Sequence, residues 1–231
     1  MIKKLVQLLP EDFSKSQCIK NAYSVEKGVL ELGISINKLK HPTSEYNGCY
    51  FIELYICISP LYSPSYIKSK GKEVALWGTV LGSEVVEMSS ELSGRSFWSE
   101  SQLSDLQQTI NQVVEPWFKV AGNPEYLIQF YQAVIHSPDS KHYLEVESAL
   151  GNFLAQKSNV PVHKRNQFYK NLSVLYENMG AYSDAHLSIE KYKEYVHASS
   201  AKTALKRILD ENEQILELID QGVSRLTKLK G

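Results

Sequence analysis

The sequence is poor in anything that would staple a fold or hold a metal. Cysteine occurs only at Cys18, Cys49 and Cys57, and no two are spaced as C-x-x-C. Neither a zinc knuckle nor a dithiol redox motif is written into such a chain. An odd count gives no disulfide framework, and three reduced, mostly buried thiols are expected. Charge of one sign is equally scarce. Twenty-five Lys and Arg nearly balance twenty-six Asp and Glu, for a formal net charge of -1. Binding to nucleic acid or to an anionic membrane draws on clustered positive charge, so neither is an expected partner. Long hydrophobic runs are missing too. The first apolar run, at 5–9, ends at Pro10, well short of a secretory core, and no stretch approaches the ~20 residues of a membrane span. A soluble, cytoplasmic protein is the expectation.

Catalytic signatures are also missing from the sequence. It contains no G-x-G-x-x-G after a strand, no P-loop, no G-x-S-x-G and no H-E-x-x-H, the arrangements that place phosphates, nucleophiles or zinc. The nearest approach to a metal site is His136, Asp139 and His142. Pro138 separates them and no second cluster completes the set, so a polar turn between elements is the better reading. No catalytic residue, cofactor or metal is assigned from sequence.

What is present is an ordinary globular composition, 43% hydrophobic and 22% charged over 231 residues, enough for one large domain or two small ones. Period-two patterning dominates early. Leu30, Leu32, Ile34 and Ile36 alternate with Glu31, Gly33, Ser35 and Asn37, which predicts a strand with one buried face. Ile52, Leu54, Ile56 and Ile58 alternate with Phe51, Tyr55 and Cys57, which predicts a central strand buried on both faces. Glu53 interrupts that second face and requires a hydrogen-bond partner. A strand before Gly28 pairs back through a turn at 26–28, and 74–88 favours strand through its valines.

From Ser101 the period becomes helical. Leu103, Leu106, Ile110, Val113 and Val114 form an i, i+3, i+4, i+7 stripe that Pro116 kinks or ends. Asn123 and Pro124 open the next helix. Helices are expected to restart after Pro138, with 141–157 as one of them, and the chain to close on a long helix after Ser200. The fold class is therefore α+β: an antiparallel sheet with flanking helices over 1–122, then an all-helical domain over 123–231.

The stretch from Tyr169 to Tyr192, "YKNLSVLYENMGAYSDAHLSIEKY", reads as a helical hairpin. Tyr169, Leu172, Leu175, Tyr176 and Met179 line one face of its first helix. Gly180 follows where a helix end wants a left-handed residue. Ala185, Ile189 and Tyr192 line the inner face of the second. Tyr169, Asn171-Leu172, Tyr176, Gly180, Tyr182 and Ala185 fall on motif positions of the tetratricopeptide repeat, and this segment resembles one copy over about 166–199. Ser173, Tyr192 and His197 depart from the motif. A lone hairpin needs covering on both sides, and 141–157 and the terminal helix are expected to supply it. In that helix Leu205, Ile208, Asn212, Ile215, Ile219, Gly222, Leu226 and Leu229 fall at heptad spacing, broadened by Leu209, Leu216 and Val223. Such a stripe suits packing on the hairpin, or a homodimer through the C-terminal helix. The first 132 residues loosely resemble an uncharacterised bacterial domain family, and that likeness implies an accessory or toxin-immunity role.

Fourteen tyrosines are many for this length. A tyrosine hydroxyl wants a wet or polar surrounding, and interfaces are rich in Tyr, Trp and Arg. Tyr62, Tyr66, Arg95 and Trp98 lie in or beside loops. With Tyr176 and Tyr182 of the hairpin they are the candidate contact residues for another protein or peptide. The reading is a non-catalytic protein-binding module, an immunity or adaptor protein. The alternative is a hydrolase or nuclease using a histidine between His136 and His163.

Overall fold

A computed structural model describes residues 6, 7, 9, 12–16, 19, 21–40, 43–58, 75–80, 97–137, 142–148, 151–158 and 161–230. The architecture is α+β. Five strands, β1 (Ser14–Lys15), β2 (Ala22–Lys27), β3 (Leu30–Lys38), β4 (Tyr50–Ile58) and β5 (Ala75–Val80), form one antiparallel sheet in chain order. The β2–β3 hairpin closes through Gly28 and Val29, with Gly28 at φ +60°. Glycine at the first of two loop residues is what a tight turn with a positive φ requires there.

The register of β3 on β4 sorts the side chains. Leu30 faces Ile58, Leu32 faces Ile56, Ile34 faces Leu54 and Ile36 faces Ile52. All eight are buried, so one face of the sheet is a ladder of paired aliphatics. The opposite face holds Glu31, Gly33, Ser35, Tyr55 and Cys57, and these are buried as well. β3 is therefore buried on both faces, against the expectation of one. The polar residues tolerate this because they are hydrogen-bonded. Ser35 donates to Glu53 at 3.2 Å, which is the partner that carboxylate needs. Glu31, 2% exposed, accepts from Ser16 at 2.6 Å and from the Tyr55 hydroxyl at 3.0 Å.

After the sheet a 3-10 turn, Glu100–Gln102, leads into α1 (Leu103–Thr109), a π-helical turn (Ile110–Val114) and α2 (Glu115–Ala121). Pro116 sits in the first turn of α2. It lacks the N–H that would continue the ladder, and the wider π turn before it carries the helix past without a break. Leu106, Ile110, Val114, Trp117 and Phe118 are buried. Phe13 meets Phe118 at 5.9 Å between ring centroids. A side chain at Gly122 would meet the Leu32 methyls at 2.8 Å, so the end of α2 lies directly on the aliphatic face of β3.

α3 (Pro124–His136) follows, started by Asn123, whose side chain accepts from the Glu125 N–H at 2.8 Å. Two strands come next, β6 (His142–Ser148) and β7 (Gly151–Ser158), paired antiparallel as a separate hairpin. This corrects the expected helix over 141–157. The chain then turns through a 3-10 segment, Val162–Phe168, into α4 (Tyr169–Asn178), α5 (Tyr182–Ser200) and α6 (Lys206–Lys230).

The chain divides into two compact units. One comprises 1–59, 75–127 and 142–158; the other comprises 60–74, 128–141 and 159–231. The division falls inside α3, and the β6–β7 hairpin belongs with the sheet, packed on α2. No helix among the described residues is long and apolar enough to cross a membrane.

Candidate protein-binding surface

The second unit is built from α4, α5 and α6. α4 ends in a hydrogen-bonded cap. Ala181 N–H donates to the Tyr176 carbonyl at 2.9 Å and Gly180 N–H to the Glu177 carbonyl at 3.0 Å, with Gly180 at φ +76°. This paired arrangement needs a left-handed residue, and glycine supplies it without a steric penalty. The short turn folds α5 back on α4, and the connection over 201–205 folds α6 back on α5.

The hairpin core is Leu172, Val174 and Leu175 from α4 with Ala185, Ile189 and Val196 from α5, all buried. Ser173, where the repeat motif has Gly or Ala, is fully buried and returns its hydroxyl to the Lys170 carbonyl at 2.8 Å. That internal bond removes the cost of burying it. Met179, expected on one face with Leu172 and Leu175, is exposed beside the turn. Behind α4, Tyr131 of α3 is buried, stacks on Phe168 at 5.3 Å and bonds Asn171. Burial pushes the Tyr131 hydroxyl pKa well above its ordinary value. Arg165 is also buried and donates to the Ser137 carbonyl, a role that no local sequence pattern announces.

α6 is held on α5 by Ile219, Gly222 and Leu226, all buried. Asn212 donates to Ser200 at 2.9 Å. Lys193 meets Asp220 at 2.5 Å, and this hydrogen bond raises the lysine pKa. Arg225 reaches across to Glu177 of α4. The polar heptad position Asn212 is thus satisfied within the chain. One flank of α6 is used in this way. Leu205, just before α6, is 64% exposed; on the other flank Leu209 is 38% exposed, and Leu216 and Val223 are half-buried. The last three recur every seven residues, so they form a stripe along the helix beside the covered one.

The sequence-derived contact residues scatter. Trp98 is 1% exposed and exchanges backbone hydrogen bonds of 2.8 Å with Tyr50. It is a packed residue of the sheet unit and not part of an exposed surface; an isolated strand bridge beside a loop gives a Trp a place in the core. Tyr62, Tyr66 and Arg95 lie outside the described residues. Tyr176 is half-buried, and its hydroxyl accepts from Gln132 at 2.6 Å. Burial, and then the Asp184 charge, raises its pKa. Tyr182 opens α5 and is half-buried. The structure therefore keeps Tyr176 and Tyr182 on one hairpin.

Sequence reasoning missed Leu187, exposed on α5, and did not foresee that Leu205 and Leu209 are exposed. The heptad pattern named both leucines but could not say which flank α5 would cover. It also missed Lys170, whose burial lowers its pKa.

The histidines of the enzymatic alternative lie on separate elements. His136 ends α3 and is exposed, and His163 is exposed in the 3-10 segment. His142 begins β6, and Asp139 lies outside the described residues. Among the described residues no three His, Cys, Asp or Glu form a group that could hold a metal ion. Cys49 and Cys57 are free thiols, Cys57 buried, and Cys18 lies outside the described residues. No family model, no curated protein and no solved structure matches the chain.

Proposed function

We propose that this chain is a non-catalytic protein-binding module of the adaptor or immunity type, and that it takes an amphipathic helix of another protein along the outer flank of α6. The observation that carries this reading is the stripe of exposed Leu205 and Leu209 that runs on into half-buried Leu216 and Val223. Large apolar side chains in a row on a helix are a poor solvent face and a good half of a helix-in-groove interface. Consecutive helical hairpins hold such a face rigid, so little ordering is needed on binding. The near-neutral charge of the chain favours recognition by shape and apolar anchors over long-range steering. Tyr176 and Tyr182 belong to the same helical unit.

The test is affinity capture from the native cell with the intact chain and with the double variant Leu205→Asp/Leu209→Asp, followed by mass spectrometry. The expected result is a stoichiometric partner recovered by the first and lost with the second, with unchanged circular dichroism. A partner retained by the double variant would remove the α6 flank from the reading. Self-association abolished by the same variant would make a second copy of the chain the occupant.

A further inference from the structure

The sheet unit carries a feature that the protein-binding reading does not use. An open groove of about 610 Å³ lies where β2 begins and β3 ends, lined by Lys15, Asn21, Tyr23, Asn37, Lys38 and Lys40 among others. Its volume is in the range of small-molecule sites. We propose that this groove binds a small ligand carrying several anionic groups, an oligophosphate in class.

Three observations converge on it. First, the described lining holds three lysines and no carboxylate, on a chain whose formal net charge is -1. The groove is a local inversion of the average charge, and a concave wall of one sign concentrates counter-ions. Second, among the described residues none of the three ammonium groups has an ion pair or hydrogen bond. Lys38 has only the Tyr50 ring, 5.9 Å from its Nζ. The cations stand ready for an external partner. Third, the lysines come from separate pieces of a fixed frame. Lys15 is opposite Tyr23 on β2, and Tyr23 is opposite Ile34 on β3. Lys38 lies four residues beyond Ile34 on the same face. Two strand spacings across and four residues along place the Lys15 and Lys38 Cα atoms about 16 Å apart. Both ammoniums reach a single phosphate only at full stretch, whereas an extended anion takes one at each end.

The rim of the groove is fixed by the backbone. Asn21 is held at φ +60°, and its carbonyl accepts from the Ile36 N–H at 3.0 Å, which fixes the turn at the rim. A left-handed asparagine, tied to a central strand, is a rigid rim rather than a loose loop.

The test uses the intact chain at low ionic strength. Tripolyphosphate, pyrophosphate and orthophosphate are titrated by calorimetry, and lysine acetylation is footprinted by mass spectrometry with and without tripolyphosphate. The expected result is saturable one-to-one binding that is tightest for tripolyphosphate, with Lys15, Lys38 and Lys40 protected. Each single Lys→Gln change weakens binding about fivefold, the loss of one exposed ion pair, and the triple change abolishes it, while Lys119→Gln leaves it intact. Added salt weakens it. No saturable binding, equal affinity for orthophosphate, or protection spread over other lysines overturns the proposal. The footprint on the unaltered chain decides the matter even where the triple variant fails to fold.

Discussion

Gly33 and Tyr55 face each other across β3 and β4, and the tyrosine ring lies over the glycine so closely that a Cβ on Gly33 would sit 2.0 Å from Cζ. The ring fills the space that the missing side chain leaves. Its hydroxyl then reaches Glu31, two residues back along β3, at 3.0 Å. A strand glycine, a covering aromatic and a buried carboxylate thus form one unit.

That geometry predicts a large cost for Gly33→Ala. The added methyl must displace a buried ring and its hydrogen bond, for about 3 kcal/mol of stability in chemical denaturation. Gly180→Ala has nothing within 4 Å of the new Cβ, so only the left-handed backbone is penalised, at about 1 kcal/mol. Equal losses at the two positions would contradict the account of Gly33.

Tyr55→Phe keeps the ring over Gly33 and removes only the donor to Glu31. The expected loss is about 1–2 kcal/mol, because Glu31 keeps Ser16 as a partner. A variant as stable as the parent would show that the Tyr55–Glu31 bond adds no net stability.

Much of the fold was legible, for definite reasons. β3 and β4 alternate in period two, and each was placed by that pattern. The turn at Gly180 was legible because only a left-handed residue completes the α4 cap. The second buried face of β3 was not, since Glu31 and Ser35 look solvent-facing until Ser16, Tyr55 and Glu53 are brought to them by tertiary pairing. The β6–β7 hairpin carries a helical sequence pattern. Tyr143, Val146, Leu150 and Phe153 fall at helical intervals, and Ala149-Leu150, between the paired Ser148 and Gly151, contains no turn residue. Of the site residues, Trp98 is not legible as a core residue, because a backbone bridge to Tyr50 goes with its burial and such a bridge has no sequence signal.

Stability should fall in alkali. Burial raises the hydroxyl pKa of Tyr55, Tyr131 and Tyr192, the last to about 12 from its ordinary value of 10.0. The unfolded chain therefore releases these protons first. The contribution is fully present below pH 10 and is lost as pH rises through the folded values. The denaturation midpoint is expected to drop between pH 10 and about 12, and less steeply in Tyr192→Phe. A midpoint that stays level across this window would contradict the burial of these hydroxyls.

The two flanks of α6 should differ in what they do for the fold. Leu226→Ala opens a cavity against α5 and costs about 3 kcal/mol. Leu205→Ala, on the outer flank, changes stability by no more than about 0.5 kcal/mol. Equal effects would mean that the outer flank is covered within the chain and is not available to a partner.

The most direct test of the binding account is hydrogen exchange of the chain with and without its captured partner. The account predicts slowed exchange in peptides spanning 203–225, along Leu205, Leu209, Leu216 and Val223, with the sheet unit unchanged. Slowed exchange confined to the sheet unit, with 203–225 exchanging as in the free chain, would contradict it.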